Sequence, residues 1–275
     1  MGRIDGEVLT RLEAMQSGGE ITGDFLDAAS GTLEFEEARD HLYCDSVGAV
    51  TVGVGDNVDV PGKLEKVVMQ KSDTVVTPAG PEEKKAARAL VKKVYLDKKY
   101  GCETSYYELS TQGMSDDEIQ KALRGVGCRI EQRKGGTVVM ANLKPGSFED
   151  VSSLRISPEE AAKRYVANLQ ASEGELRKVF PNYDEMPLSG KKALLDMHFN
   201  LGGRGFRKYS ELIAAVRKGD WVAASEKCKR NGVPSERNDA TKALFLEAKS
   251  QAYPPKRQAP GIAGERSGLR QPVRP

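Results

Sequence analysis

Apolar positions recur three and four apart through the second half of the chain and alternate only in short stretches of the first half. Residues 157–180, SPEEAAKRYVANLQASEGELRKVF, place a serine at a helix N-cap and a proline at the first helical position, both favourable there. Further helices are expected from Ser189 to Asn200, from Lys208 or Tyr209, from Trp221, and from about Glu236 to Ala252. At the other end, a helix from Gly6 to Met15 is followed by a Ser-Gly-Gly break and a second helix start near Thr22. Between these helical ends the pattern changes twice. Residues 33–55, LEFEEARDHLYCDSVGAVTVGVG, predict a short helix carrying Leu33, Phe35, Ala38 and Leu42, then a Ser-Val-Gly turn and an alternating strand.

Residues 56–155 are more broken. They hold a Pro61-Gly62 turn, a TPAGP break at 77–81 and the lysine-rich stretch 82–100. That stretch sets Ala87, Leu90, Val91 and Val94 on one helical face and its lysines on the other, which is most simply a solvated amphipathic helix. Wall or nucleic-acid binding by its lysines is the lesser alternative. Ser115 and Glu118 form a capping-box pattern opening the helix DDEIQKALRG. RIEQ, a Lys-Gly-Gly turn and TVVMA then predict a hairpin.

The expected organisation is α+β. It comprises an N-terminal helical extension (1–31), a helix and hairpin (32–56), an α+β insertion (57–155), a helical lobe (156–253) and a disordered tail (254–275). The tail, PPKRQAPGIAGERSGLRQPVRP, has too few large apolar residues to pack.

Composition narrows the function classes only a little. With 39% hydrophobic residues in 275, the chain can build an ordinary globular core. Its 42 basic and 40 acidic residues leave +2, too little to argue for a nucleic-acid partner, though compatible with an anionic polymer. No basic-then-apolar leader opens the chain and no run approaches the roughly 18 apolar residues of a membrane span. Synthesis in the cytoplasm, without a signal peptide and without membrane insertion, is therefore expected. Cys44, Cys102, Cys128 and Cys228 form no C-x-x-C pair, and His41 and His198 are the only histidines, so no metal site and no cofactor is expected. Reduced thiols are the simplest state, with Cys102 and Cys128 the pair to test for a disulfide.

Candidate chemistry gathers in residues 33–55. Along the strand, Val50, Val52 and Val54 point into a core, while Thr51, Gly53 and Gly55 face an open surface. One hydroxyl followed by two bare positions suits a hairpin lining a cleft for a bulky polymer. Asp45 can sit beside Thr51, and Glu36, nine residues earlier, can approach from the opposite wall. Two carboxylates across a groove are the minimum equipment for glycoside hydrolysis, one protonated to donate and one ionised to activate water or attack. Glu34 and Glu37 compete with Glu36, and Asp45 has turn capping as an alternative role.

These residues resemble a known family, the lysozymes of T-even phages with their lambdoid-type endolysin and pesticin-like relatives. The family pattern is a glutamate, eight residues, an aspartate, five residues, a threonine, then G-x-G, filled here by Glu36, Asp45, Thr51, Gly53 and Gly55. Arg39 and Tyr43 also stand where the family tends to have them. That register selects Glu36 over its neighbours. A second block, PLSGKKALLDMHFNLGGRGFRKYSELI, is similar to the family's F-N-x-G helix end through Phe199, Asn200, Gly202, Gly205, Phe206 and Ser210, followed by Trp221 and Arg237. The resemblance covers about residues 32–56 and 156–253. Asp56 departs from it, as does Thr241, which stands in a glutamate position, and the separation of the two blocks is unusually long.

The resemblance implies a lysozyme-like fold, a mainly helical lobe plus a small β-hairpin lobe, cutting the β-1,4 bond between N-acetylmuramic acid and N-acetylglucosamine. Glu36 would be the general acid, Asp45 the base or electrostatic partner, and Thr51 the residue positioning water in an inverting reaction. Asn200, Arg237 and Gly53 are the candidate substrate contacts. Arg237 has orienting Glu36 or a surface position as alternatives, and Asn200 a purely structural helix-end role. Phe199, Phe206 and Trp221 are expected in the core, and His198 has no assigned role. The implied partner is peptidoglycan, met by a monomer after release or delivery to the wall, with a delivery apparatus or an immunity protein as further partners. A catalytically inactive wall-binding or partner-binding module is the alternative.

Overall fold

Local caps explain where the helices begin. In the computed structural model, which describes residues 3–71, 77–124, 127–141 and 143–252, helix α1 spans Asp5–Ser17 and α2 spans Gly23–Leu33. The Thr22 hydroxyl accepts a hydrogen bond from the Phe25 amide, satisfying one of the donors that a helix start leaves free. Strand β1 (Ala38–Cys44) follows, then β2 (Val50–Val54) and β3 (Asp56–Asn57), forming one antiparallel sheet in that order. The short helix expected around Phe35 to Leu42 is thus absent. α2 stops at Leu33 and the chain enters a strand four residues beyond Glu34.

Two-residue strands β4 (Gln70–Lys71) and β5 (Thr77–Pro78) precede α3, which runs over Pro81–Thr111 with a proline in its first turn. Its buried face carries Ala87 and Val91, but Leu90, expected on that face, is exposed. Helix α4 (Asp116–Arg124) opens on the Ser115 and Glu118 capping pair, the Ser115 amide donating to Glu118 Oε2 at 2.9 Å. The hairpin of β6 (Cys128–Arg133) and β7 (Gly136–Ala141) follows, then a 3-10 segment at Pro145–Val151 and β8 (Leu154–Arg155), which pairs with β4.

The remainder is helical: α5 (Pro158–Val179), α6 (Leu188–Phe206), α7 (Ser210–Arg217), α8 (Trp221–Lys227) and α9 (Ser235–Ala252). The Ser157 hydroxyl caps α5 by accepting from the Glu160 amide. α6 is interrupted at Gly202, whose φ of 66° and ψ of 163° are not helical. A left-handed φ of this kind favours glycine, and the break lets Phe206 turn back into the core. Among the described residues the architecture is α+β and 62% helical, with three small antiparallel sheets. No helix of the described residues is long and apolar enough to cross a membrane. The expected tail, 254–275, lies outside the described residues.

Two hydrophobic clusters form among the described residues. The main one joins α1, α2, the β1–β3 sheet, the first half of α3 and all of α5 to α9, with Val8, Leu12, Val50, Val52, Leu169, Leu194 and Phe245 wholly buried. The smaller one holds Cys102, Ile119, Leu123, Cys128 and Val139. Residues expected to form one insertion contribute to both. Cys102 and Cys128 are joined in a disulfide across the smaller cluster, while Cys44 and Cys228 are buried free thiols.

Candidate active site

The β1–β2 hairpin is built around its turn. The Asp45 Oδ1 accepts from the Val47 amide at 3.0 Å and the Ala49 amide at 2.8 Å, and the Gly48 amide donates to the Asp45 carbonyl. Asp45 therefore caps the turn through one oxygen, the alternative role anticipated from sequence. The turn needs φ = 85° at Gly48, and a Cβ there would lie 2.5 Å from Tyr95 Cε1. Glycine is required for both reasons. α3 closes over the turn, with Lys92 donating to the Gly48 carbonyl and, at 3.1 Å, to Asp59.

Both faces of β2 are covered. Val50, Val52 and Val54 are buried as expected, but Thr51 is only 3% exposed and its hydroxyl donates to the Ala49 carbonyl at 3.1 Å. Thr51 and Gly53, expected on an open surface, are buried, with α5 and Ile156 just before it packed at Gly53, while Gly55 stays exposed. A Cβ at Gly53 would stand 3.3 Å from Ile156 Cδ1 and 3.8 Å from Ala161, so the bare position accommodates a neighbouring helix. In the strand register Tyr43, rather than Asp45, lies opposite Thr51. Asp56, just beyond β2, is buried and held by Arg164 of α5, with Arg164 Nε donating at 2.7 Å. This ion pair clamps the sheet to the helical half.

Glu36 lies in the short connection between α2 and β1. Its Oε1 is 2.7 Å from Arg237 Nη1. Its Oε2 lies on the side of Gly55, 4.0 Å from where a Cβ on residue 55 would stand. The side chain remains 20% exposed. Burial pushes the Glu36 carboxyl above its ordinary pKa, and the charge and hydrogen bond of Arg237 oppose this without cancelling it. The Phe199 ring lies on the same side of Gly55 and packs edge-on against Tyr165. The Tyr43 phenol is pushed up by burial first, then by the charge of Glu36, with smaller contributions that include Asp45.

Arg237 is buried, and its guanidinium sits 5.6 Å from the Phe35 ring centroid. Its other nitrogens are taken by Asp196 of α6, Nε at 3.0 Å and Nη2 at 2.7 Å from the same Oδ1. The second oxygen of Asp196 is 2.9 Å from Arg230 Nη2 and 3.1 Å from the Thr241 hydroxyl. Arg230, 1% exposed, also reaches Asn200 Oδ1 at 3.4 Å. Asp196 and Arg230 were not among the sequence candidates. Asp196 had a signal, a carboxylate inside the apolar run ALLDMHF, whereas nothing in the sequence around Arg230 marks it as buried.

Of the three expected substrate contacts, Asn200 alone is exposed, at the end of the unbroken part of α6. Arg237 is committed to two carboxylates and Gly53 to helix packing. Phe206 and Trp221 lie in the core and Phe199 packs against it. His198, to which the sequence gives no role, is buried against Phe206, and its Nδ1 has no hydrogen-bond partner among the described residues. Burial holds its pKa below the ordinary histidine value. Among the described residues no group of three or more histidine, cysteine or acidic side chains is arranged to hold a metal ion.

Comparison of the chain with protein-family models, with curated proteins and with solved structures returns no match.

Proposed function

We propose that the chain is a lysozyme-type glycoside hydrolase cutting the β-1,4 bond between N-acetylmuramic acid and N-acetylglucosamine of peptidoglycan, with Glu36 as general acid. The observation that carries this is Glu36 itself: a half-buried carboxyl, raised in pKa, oriented through one oxygen by Arg237 and open through the other toward the bare Gly55 position. A general acid must hold its proton near working pH and must be fixed in direction, and burial plus a single charge-assisted bond supplies both. Asp45, at the neighbouring turn with Oδ2 outside the turn hydrogen bonds, is the second carboxylate, acting as base or electrostatic partner. The lysozyme-like fold and the resemblance of the two sequence blocks stand with this proposal, and so does action at the wall after release or delivery.

Thr51 fits its expected role poorly, because its hydroxyl is buried and donates to Ala49. That observation, with the turn-capping use of Asp45, favours a second reading: a module of the same fold that binds wall polymer without cutting it. Loss of turbidity from purified cell wall separates the two. On the hydrolase reading the parent clears wall, and Glu36→Gln and Asp45→Asn each lower clearing at least 100-fold, on the order of a lost general acid or base. Sedimentation of the parent with wall, without clearing, supports the binding module. Unchanged clearing in both variants would sink the assignment of these residues.

A further inference from the structure

The buried charges around Arg237 form a row, Glu36–Arg237–Asp196–Arg230, in which the two carboxylates are not equivalent. Asp196 receives two N–H groups of Arg237 on one oxygen and faces Arg230 and Thr241 with the other. Glu36 receives one contact, from Arg237 Nη1. We propose that Asp196 is the positioning residue for Glu36: it fixes the Arg237 guanidinium and offsets its charge, so that Arg237 orients Glu36 through a single N–H without capturing its negative form. The inference rests on Glu36 being the general acid.

The physical problem it addresses is a conflict of roles. An arginine paired with one carboxylate alone orients it well but stabilises the ionised state, which a general acid must avoid at its working pH. Sharing the arginine with a second, better-bonded carboxylate keeps the orientation and removes most of the charge effect. The direction of Glu36's own titration agrees, since burial prevails over Arg237, and Asp196 adds to the upward push while Arg230 opposes it. The other ionisable groups facing Glu36 are Tyr43 on β1 and Tyr165 on α5, both held neutral by burial. Neither tyrosine can supply the missing charge balance. Thr241, hydrogen-bonded to both Asp196 and the Arg237 carbonyl, ties this arrangement to the first turns of α9.

The test uses the full chain with 13C-labelled glutamate side chains, the Glu36 resonance being identified by its loss in Glu36→Gln. In Asp196→Asn, which keeps the shape and removes the charge, the Glu36 titration midpoint moves to lower pH than in the parent. The alkaline limb of wall clearing moves with it, since clearing requires protonated Glu36. In Asp196→Glu, which restores the charge, the midpoint returns toward the parent value. A midpoint in Asp196→Asn equal to or above the parent's overturns the proposal, whatever happens to clearing. Absence of clearing by the parent overturns the hydrolase reading instead, while the titration still judges Asp196. Should Asp196→Asn not fold, Glu36→Gln carries the test: the Arg237 Nε–H, bonded to Asp196, keeps its slow exchange with water. Loss of that protection shows Glu36 to be the residue holding Arg237 and overturns the proposal.

Discussion

At the scale of single residues, the buried acid and the turn glycine set opposite demands. A carboxyl whose pKa is raised on folding contributes stability that is present below its unfolded pKa and lost as pH rises through the folded value. For Glu36 this means the folded state bears a cost at neutral pH that it does not bear in acid. Glu36→Gln is accordingly expected to melt higher than the parent at pH 7, by about 1 kcal/mol of stability. The difference should narrow below about pH 4, where the parent's carboxyl is protonated in both states; melting curves at the two pH values check it. Gly48→Ala pulls the other way. A side chain there meets the Tyr95 ring and a backbone of positive φ, so a loss of roughly 2 kcal/mol or more is expected in denaturant unfolding. Arg230→Met leaves Asp196 with Arg237 and the Thr241 hydroxyl and should cost less than Arg237→Met, which takes from Glu36 its one ion pair, a broken buried pair of the kind that costs about 3–5 kcal/mol.

At the scale of elements, the helices were legible and one strand was not. Serine, threonine and proline at helix starts announce themselves by local chemistry, as at Thr22, Ser115 and Ser157. The strand β1 hides its period. Its register against β2 slips between Arg39 and Tyr43, three residues facing one, so its apolar side chains do not alternate and Ala38 and Leu42 fall at helical spacing. The faces of β2 were misjudged for a related reason. Alternation says that Thr51 and Gly53 share a face, but whether solvent or α5 covers that face depends on a helix more than a hundred residues away. Glu36 was found by its place in a motif, whereas Asp196 and Arg230 acquire their meaning only once α6 and α9 pack together. The smaller cluster, with five buried residues, is too small to hold itself together by burial alone. Its disulfide closes 26 residues and is worth about 3.5 kcal/mol by loop entropy. Reduction should speed amide exchange across 102–141 and leave exchange in α5 and α6 unchanged, as hydrogen-exchange mass spectrometry can resolve.

At the scale of the whole molecule, the main core has no dispensable end. The N-terminal helix buries Val8 and Leu12 completely, and the Ile4 amide donates to the Ala38 carbonyl while the Asp5 side chain accepts from the Ala38 amide. α1 thereby holds the start of β1, two residues beyond Glu36. Deleting residues 3–17 is expected to abolish cooperative unfolding of the main core rather than trim it, which a thermal melt followed by circular dichroism would reveal.

Helix α3 connects the two clusters in a way that matters mechanically. At 31 residues it is about 46 Å long, meeting the hairpin turn near its middle and carrying the disulfide-closed unit on its C-terminal half. Lys92 and Tyr95 make the contact with Gly48, so that turn is the fulcrum. Force applied to the outlying unit arrives there as torque, at the turn that Asp45 caps. The outlying disulfide-closed unit and the turn that Asp45 caps are, in this molecule, joined by one continuous helix.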